Sequence, residues 1–103
     1  MSKEYRIKSA EALGLLVIEI DGAIITVQIN GIRVIWNPIE DANQMLMVWD
    51  WLIKTGCLIQ AEGDRKDWEI LFFFTADSPC FRANNKDIKL ATAEAFMEYS
   101  NNK

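Results

Sequence analysis

The chain contains no histidine. That absence removes Ser-His and Cys-His nucleophilic pairs and every histidine-ligated metal site. Cysteine is nearly absent too. Cys57 and Cys80 stand alone, without the short spacing of a metal or redox site, and each lies in an apolar, strand-like setting. They read as two buried free thiols. No glycine-rich loop precedes a helix in the spacing that cradles phosphate. Basic residues are outnumbered, 11 against 15 acids for a net charge of −4. A nucleic-acid binder needs a basic face to release counterions, so nucleic acid is not an expected partner unless Arg33, Arg65, Lys66 and Arg82 converge. The longest apolar run, Leu13 to Ile18, stops at Glu19 and is far too short for a bilayer span. Met1 to Arg6 lacks an apolar signal core. These features point to a soluble, cytoplasmic protein with no membrane partner.

What is present is globular. Of 103 residues, 50% are hydrophobic and 25% charged, scattered without low-complexity tracts. A single domain over residues 1–103 is expected, long enough to bury roughly two-thirds of its unfolded surface. Glu4 to Leu13 reads as a helix ended by Gly14. Leu15–Ile20, Ala23–Ile29 and Ile32–Trp36 read as three strands joined by Asp21-Gly22 and Asn30-Gly31, both strong hairpin signals. Pro38 ends the third strand. A second helix follows from near Asp41 to Gly56, with Ala42, Met45, Leu46, Trp49, Leu52 and Ile53 on its inner side. Cys57–Glu62, Asp67–Phe74 and Cys80–Ala83 read as further strands, the last after an Asp77-Ser78-Pro79 loop. A final helix spans Asp87 to Ser100, capped by Asn84 or Asn85, with Ile88, Ala91, Ala95 and Tyr99 inward.

The fifth strand sets the expected architecture. Trp68, Ile70, Phe72 and Phe74 point one way and Leu71 and Phe73 the other, so the strand is apolar on both faces. Cover on both faces implies an α+β fold. Its form would be an antiparallel sheet of five or six strands with helices on both sides, a three-layer αβα sandwich in the order α-β-β-β-α-β-β-β-α.

The segment Trp36-Asn37-Pro38 through Asp41-Ala42 with its helix, the Trp68-Glu69-Ile70 strand, and the final helix Ala91-Thr92-Ala93-Glu94-Ala95-Phe96 together resemble the small phage-encoded "ABA sandwich" proteins. Ala10-Glu11-Ala12-Leu13-Gly14 resembles the end of that family's first helix. The resemblance implies a phage or prophage origin, the bacterial cytoplasm as location, and an αβα fold. It implies no activity and supplies no catalytic residue.

The acids gather in turns and helix starts, where solvated surface accounts for them. With no catalytic constellation, the chain reads as a non-enzyme that needs no cofactor or metal. Trp36, Trp49 and Trp68 fall on inward positions and read as core. Trp51 differs: it lies on the back of the second helix with Met47 and Val48, and Leu90 and Met97 repeat the pattern on the last helix. Trp and Met are enriched at interface cores, so Met47, Val48, Trp51, Leu90 and Met97 form a candidate protein interface. The expected function is therefore that of a small phage or prophage accessory protein that binds protein, either a host factor or a second copy. The alternative is a small-molecule-binding or enzymatic domain. It would use a cleft with Trp68 or Phe73 beside Asp67 or Glu69.

Overall fold

The computed structural model describes residues 2–74 and 80–102. The Asp77-Ser78-Pro79 loop lies outside the described residues. The elements follow in the expected order: α1 (Ser2–Ala12), β1 (Val17–Ile20), β2 (Ile24–Ile29), β3 (Ile32–Ile35), α2 (Ala42–Lys54), β4 (Leu58–Gly63), β5 (Trp68–Phe73), β6 (Phe81–Asn85) and α3 (Ile88–Asn101). The class is α+β. The strands do not, however, join into one sheet of five or six. Among the described residues they form two antiparallel sheets of three, β1-β2-β3 and β4-β5-β6.

Turn chemistry explains the first sheet. Ile29 pairs with Ile32 across Asn30-Gly31, and Asn30 adopts φ of 53°, the left-handed value that a two-residue hairpin turn demands. The Asp21-Gly22 link is one residue longer than the sequence suggests, because Ile20 pairs with Ile24 and the turn takes in Ala23.

Each sheet packs against its own helix. α1 packs on β1 and β2, α3 packs on β5 and β6, and α3 also meets α1 and α2. This arrangement of two sheets joined through their helices replaces the expected single-sheet helix–sheet–helix sandwich. Trp36, fully buried, ties the first sheet to α1 through its ring N–H, which donates to Ser9 Oγ at 3.0 Å. Tyr5 of α1 meets Phe96 of α3 edge-on at 5.5 Å. Burial without a hydrogen-bond partner among the described residues pushes the Tyr5 phenol pKa up.

This arrangement corrects the reading of β5. Ile70 and Phe72 face α3 and are fully buried. Leu71 and Phe73 lie on the opposite face and do not join the helix-lined core. Leu71 is buried all the same, between its register partners Gln60 and Arg82, whose long stems can shield it. A strand apolar on both faces did not require a helix on each. Trp68, expected in the core, is partly exposed at the end of the strand.

The inner face of α2 also differs. Met45, Val48 and Leu52 are its buried residues, while Leu46 and Ile53 are 50% and 56% exposed. At 100° per residue the true face is rotated by roughly 70° from the expected one. Val48, placed on the back by the sequence reading, is a core residue. Trp49 is partly buried and donates its ring N–H to Thr92 Oγ1 at 3.1 Å. α2 begins near Asp41 as expected, and Asp41 is its cap, its carboxylate accepting from the Asn43 and Gln44 amides. Gln44 then fastens the helix to the first sheet, donating to the Ile35 carbonyl and accepting from the Asn37 amide.

The α3 cap is Asp87 rather than Asn84 or Asn85. This helix is buried nearly all round (Ala91, Thr92, Ala93, Ala95, Phe96 and Met97), so Met97 is core rather than surface. A central helix has no back. Leu90 is half-buried. Of the two thiols, only Cys57 is buried, and burial pushes its pKa up to about 11 against a lowering hydrogen bond with the Phe73 backbone; Cys80 is exposed.

Two outcomes follow from this packing. In urea denaturation, Leu52→Ala should cost about 2–5 kcal/mol, as buried leucine truncations do. Leu46→Ala should stay within about 0.5 kcal/mol; equal losses would contradict the observed helix face. A thiol reagent should modify one cysteine quickly in the native protein and the second only on unfolding, with Cys80→Ser removing the fast phase.

Candidate functional site

An open groove of about 490 Å³ lies between the end of α1 and the outer side of α2. Its wall is made by Leu13 and Leu15. Both are held in place by the way α1 stops. The Leu15 amide donates to Ala10 O and the Gly14 amide to Glu11 O, the paired bonds of a Schellman cap. Such a cap needs a left-handed residue, and Gly14 sits at φ of 75°. The chain is thereby turned so that Leu13 and Leu15 both line the groove.

The other side is α2. Leu46, Met47 and Trp51 supply its apolar surface, with Asn43, Asp50 and Lys54 at the polar edge. Asp50 and Lys54 pair with each other at 2.8 Å, an i,i+4 ion pair exposed to solvent. Trp51 is half-buried and backed by Phe96, with ring centroids 6.3 Å apart. The site is an apolar trough with a self-neutralised rim. The titratable groups lining it are Asp50 and Lys54, which pair with each other.

Of the five residues expected at an interface, Met47 and Trp51 line this groove. Val48 and Met97 are in the core, and Leu90 is outside the groove lining. The sequence reading missed Leu13, Leu15 and Asn43, and it assigned Leu46 to the core. The Gly14 cap was the available signal, because it reverses the chain between Leu13 and Leu15, the leucines on either side of it.

A second, smaller cleft of about 270 Å³ lies at the β4–β5 turn, lined by Glu62, Gly63, Asp64, Asp67, Trp68, Glu69 and Asn84. This is the juxtaposition of Trp68 with Asp67 and Glu69 that the alternative reading called for. Gly63 pairs with Trp68 across the strands, and a Cβ there would meet the ring at 3.0 Å. The acids are largely engaged, however. Asp64 accepts from the Asp67 and Lys66 amides, which lowers its pKa. Glu69 pairs with Arg82 at 3.6 Å, and Glu62 accepts from Gln60. A general acid needs its pKa raised, and Asp64 is moved the other way. Among the described residues no group of three or more acids and thiols is placed to hold a metal.

The basic residues do not meet on one sheet. Arg33 is on β3, Arg82 on β6, and Arg65 and Lys66 are in the β4–β5 turn. No described helix is long and apolar enough to cross a membrane. No family model matches the chain, and no curated protein or solved structure matches it significantly.

Gly14→Ala tests how the groove wall is set. A Cβ there meets nothing within 4 Å, so the penalty is backbone strain alone. A loss of about 1–2 kcal/mol is expected from forcing an L-residue into this conformation. Chemical denaturation would measure it, and no loss would mean that the cap does not hold the wall.

Proposed function

We propose that this protein is a non-catalytic binding module whose α1–α2 groove takes an apolar segment of another protein. The observation that carries the reading is the trough itself: Leu13, Leu15, Leu46, Met47 and Trp51 side by side, bordered by polar groups that already neutralise one another. Large apolar and aromatic anchors of this kind dominate the energetics of protein contacts. The chain's net charge of −4 favours a segment with basic flanks, which electrostatic attraction would steer toward it. The Trp36–Ala42 segment, the Trp68 strand and α3 resemble phage-encoded sandwich proteins in sequence. The two-sheet arrangement is not the single-sheet sandwich that resemblance implies, and an accessory role in phage or prophage is part of this proposal. The partner would then be a bacterial cytoplasmic protein.

The β4–β5 cleft favours a second reading, binding of a small cation. Trp68 presents a partly exposed indole among Glu62, Asp64, Asp67 and Glu69, a setting suited to cation–π and ionic attraction together. Asp64 stays ionised, as cation binding requires, but Glu69 is already paired with Arg82 and Glu62 with Gln60, which sets this reading behind the first.

Selection from a displayed peptide library separates the two. The expected binders carry large apolar residues with flanking Lys or Arg, and they shift the NMR signals of Leu15, Met47 and Trp51. Met47→Asp should weaken them by about tenfold or more, equivalent to about 1.4 kcal/mol, while leaving the melting temperature near that of the wild type. Binders that map to Trp68 and Glu69, or that ignore Met47→Asp, would overturn the groove assignment.

A further inference from the structure

The outer face of the first sheet is apolar, and among the described residues no element packs on it. Cross-strand partners share a face, so the register places Ile18, Thr26 and Ile35 in one row, Ile20 and Ile24 in the next, and Gln28 with Arg33 beyond. The alternate residues Val17, Val27, Ile29 and Val34 are the ones that join the core. Ile20, Ile24 and Ile35 are 37%, 41% and 64% exposed, and none of the four outer isoleucines touches the core. Thr26, at the centre, donates its hydroxyl to the Ile18 carbonyl at 2.8 Å, so the middle of the patch offers water no free donor. Contiguous apolar surface of this kind is uncommon on a monomer and marks an association site.

The ends of the patch carry opposite charge. The Ile20–Ile24 end closes in the turn that contains Asp21, and the other end carries Arg33 beside Gln28. Neither Asp21 nor Arg33 belongs to an ion pair among the described residues. From Ile24 to Gln28 the strand runs about 13 Å at 3.3 Å per residue, so the two charges stand clear of each other within one chain. A two-fold axis that reverses the strand direction would lay this face on its own copy, isoleucine on isoleucine. It would also set Arg33 of each chain at the Asp21 end of the other. Two-fold interfaces require this reciprocity, in which residue i meets j and j meets i.

We infer that the β1-β2-β3 face is a homodimer surface: a second copy of this chain packs sheet on sheet over Ile18, Ile20, Ile24 and Ile35, with two reciprocal Asp21–Arg33 pairs at its ends. The inference is independent of the α2 groove, which lies on a different element. Sheet-on-sheet packing of this type fills a layer about 10 Å thick with interdigitated side chains and leaves no charged group inside it.

Sedimentation velocity on the full chain over a concentration series tests it. The wild type should dimerise with a Kd of about 1–100 μM, in keeping with a small interface. Ile35→Lys, at an exposed position that leaves the fold's core untouched, should keep the protein monomeric across that range. Arg33→Glu should raise the dissociation constant about tenfold or more by setting acid against Asp21, and adding Asp21→Asn should recover part of that loss. Circular dichroism of each variant confirms that the fold is retained. A wild type that stays monomeric, a dimer indifferent to Ile35→Lys, or one indifferent to Arg33→Glu would each overturn the inference as stated.

Discussion

Each small sheet packs its helix on one face only, and that constraint governs everything else: a single face of each sheet joins the core. The link between the layers is made by a few large side chains. Trp36 reaches from the end of β3 to Ser9 in α1, Tyr5 of α1 meets Phe96 of α3, and Phe74, Phe81 and Tyr99 pack where α3 lies on the second sheet. Aromatic groups suit this work because each buries a large area and packs edge-on with its neighbours. The outward faces are then left to local solutions. On the second sheet, Arg82 with Glu69 and Gln60 with Glu62 cover part of the outside, beside the exposed Leu58 and the half-buried Phe73. On the first sheet the outside stays isoleucine.

The contrast between those two faces shows what the sequence displayed and what it hid. The elements and their order were legible because turns and caps are local: Asn30-Gly31, Asp41 and Gly56 act within a few residues of themselves. Which strands share a sheet is not local. β5 is apolar on both faces, and two different packings satisfy that pattern, a covering helix or long polar neighbours across the register. Here Gln60 and Arg82 flank Leu71, and their positions follow from pairing that spacing along the chain cannot reveal.

The α2 helix hid its inner face for a related reason. From Met45 to Ile53, Asp50 is the sole charged residue, so apolar residues occur on almost every side and periodicity does not select one of them. Packing made the selection, burying Met45, Val48 and Leu52 and leaving Leu46 and Met47 toward the groove. Trp51 was found because the two readings of the helix agree that it stands away from the centre of the core face. The leucines opposite could not be found in that way, since their place in the site depends on how the α1 cap meets a helix some thirty residues later.

The two association surfaces also bear on each other. The isoleucine face points away from the helices, whereas the groove is built on α2 and the end of α1. Burying the first therefore leaves the second open. A pair joined through its sheets would carry two grooves fixed in orientation by the two-fold axis. A partner offering two apolar segments, or existing as a dimer itself, would meet the second groove at the raised local concentration that a first contact creates. Avidity of that kind would let two grooves of the proposed dimer hold such a partner more tightly than either groove alone.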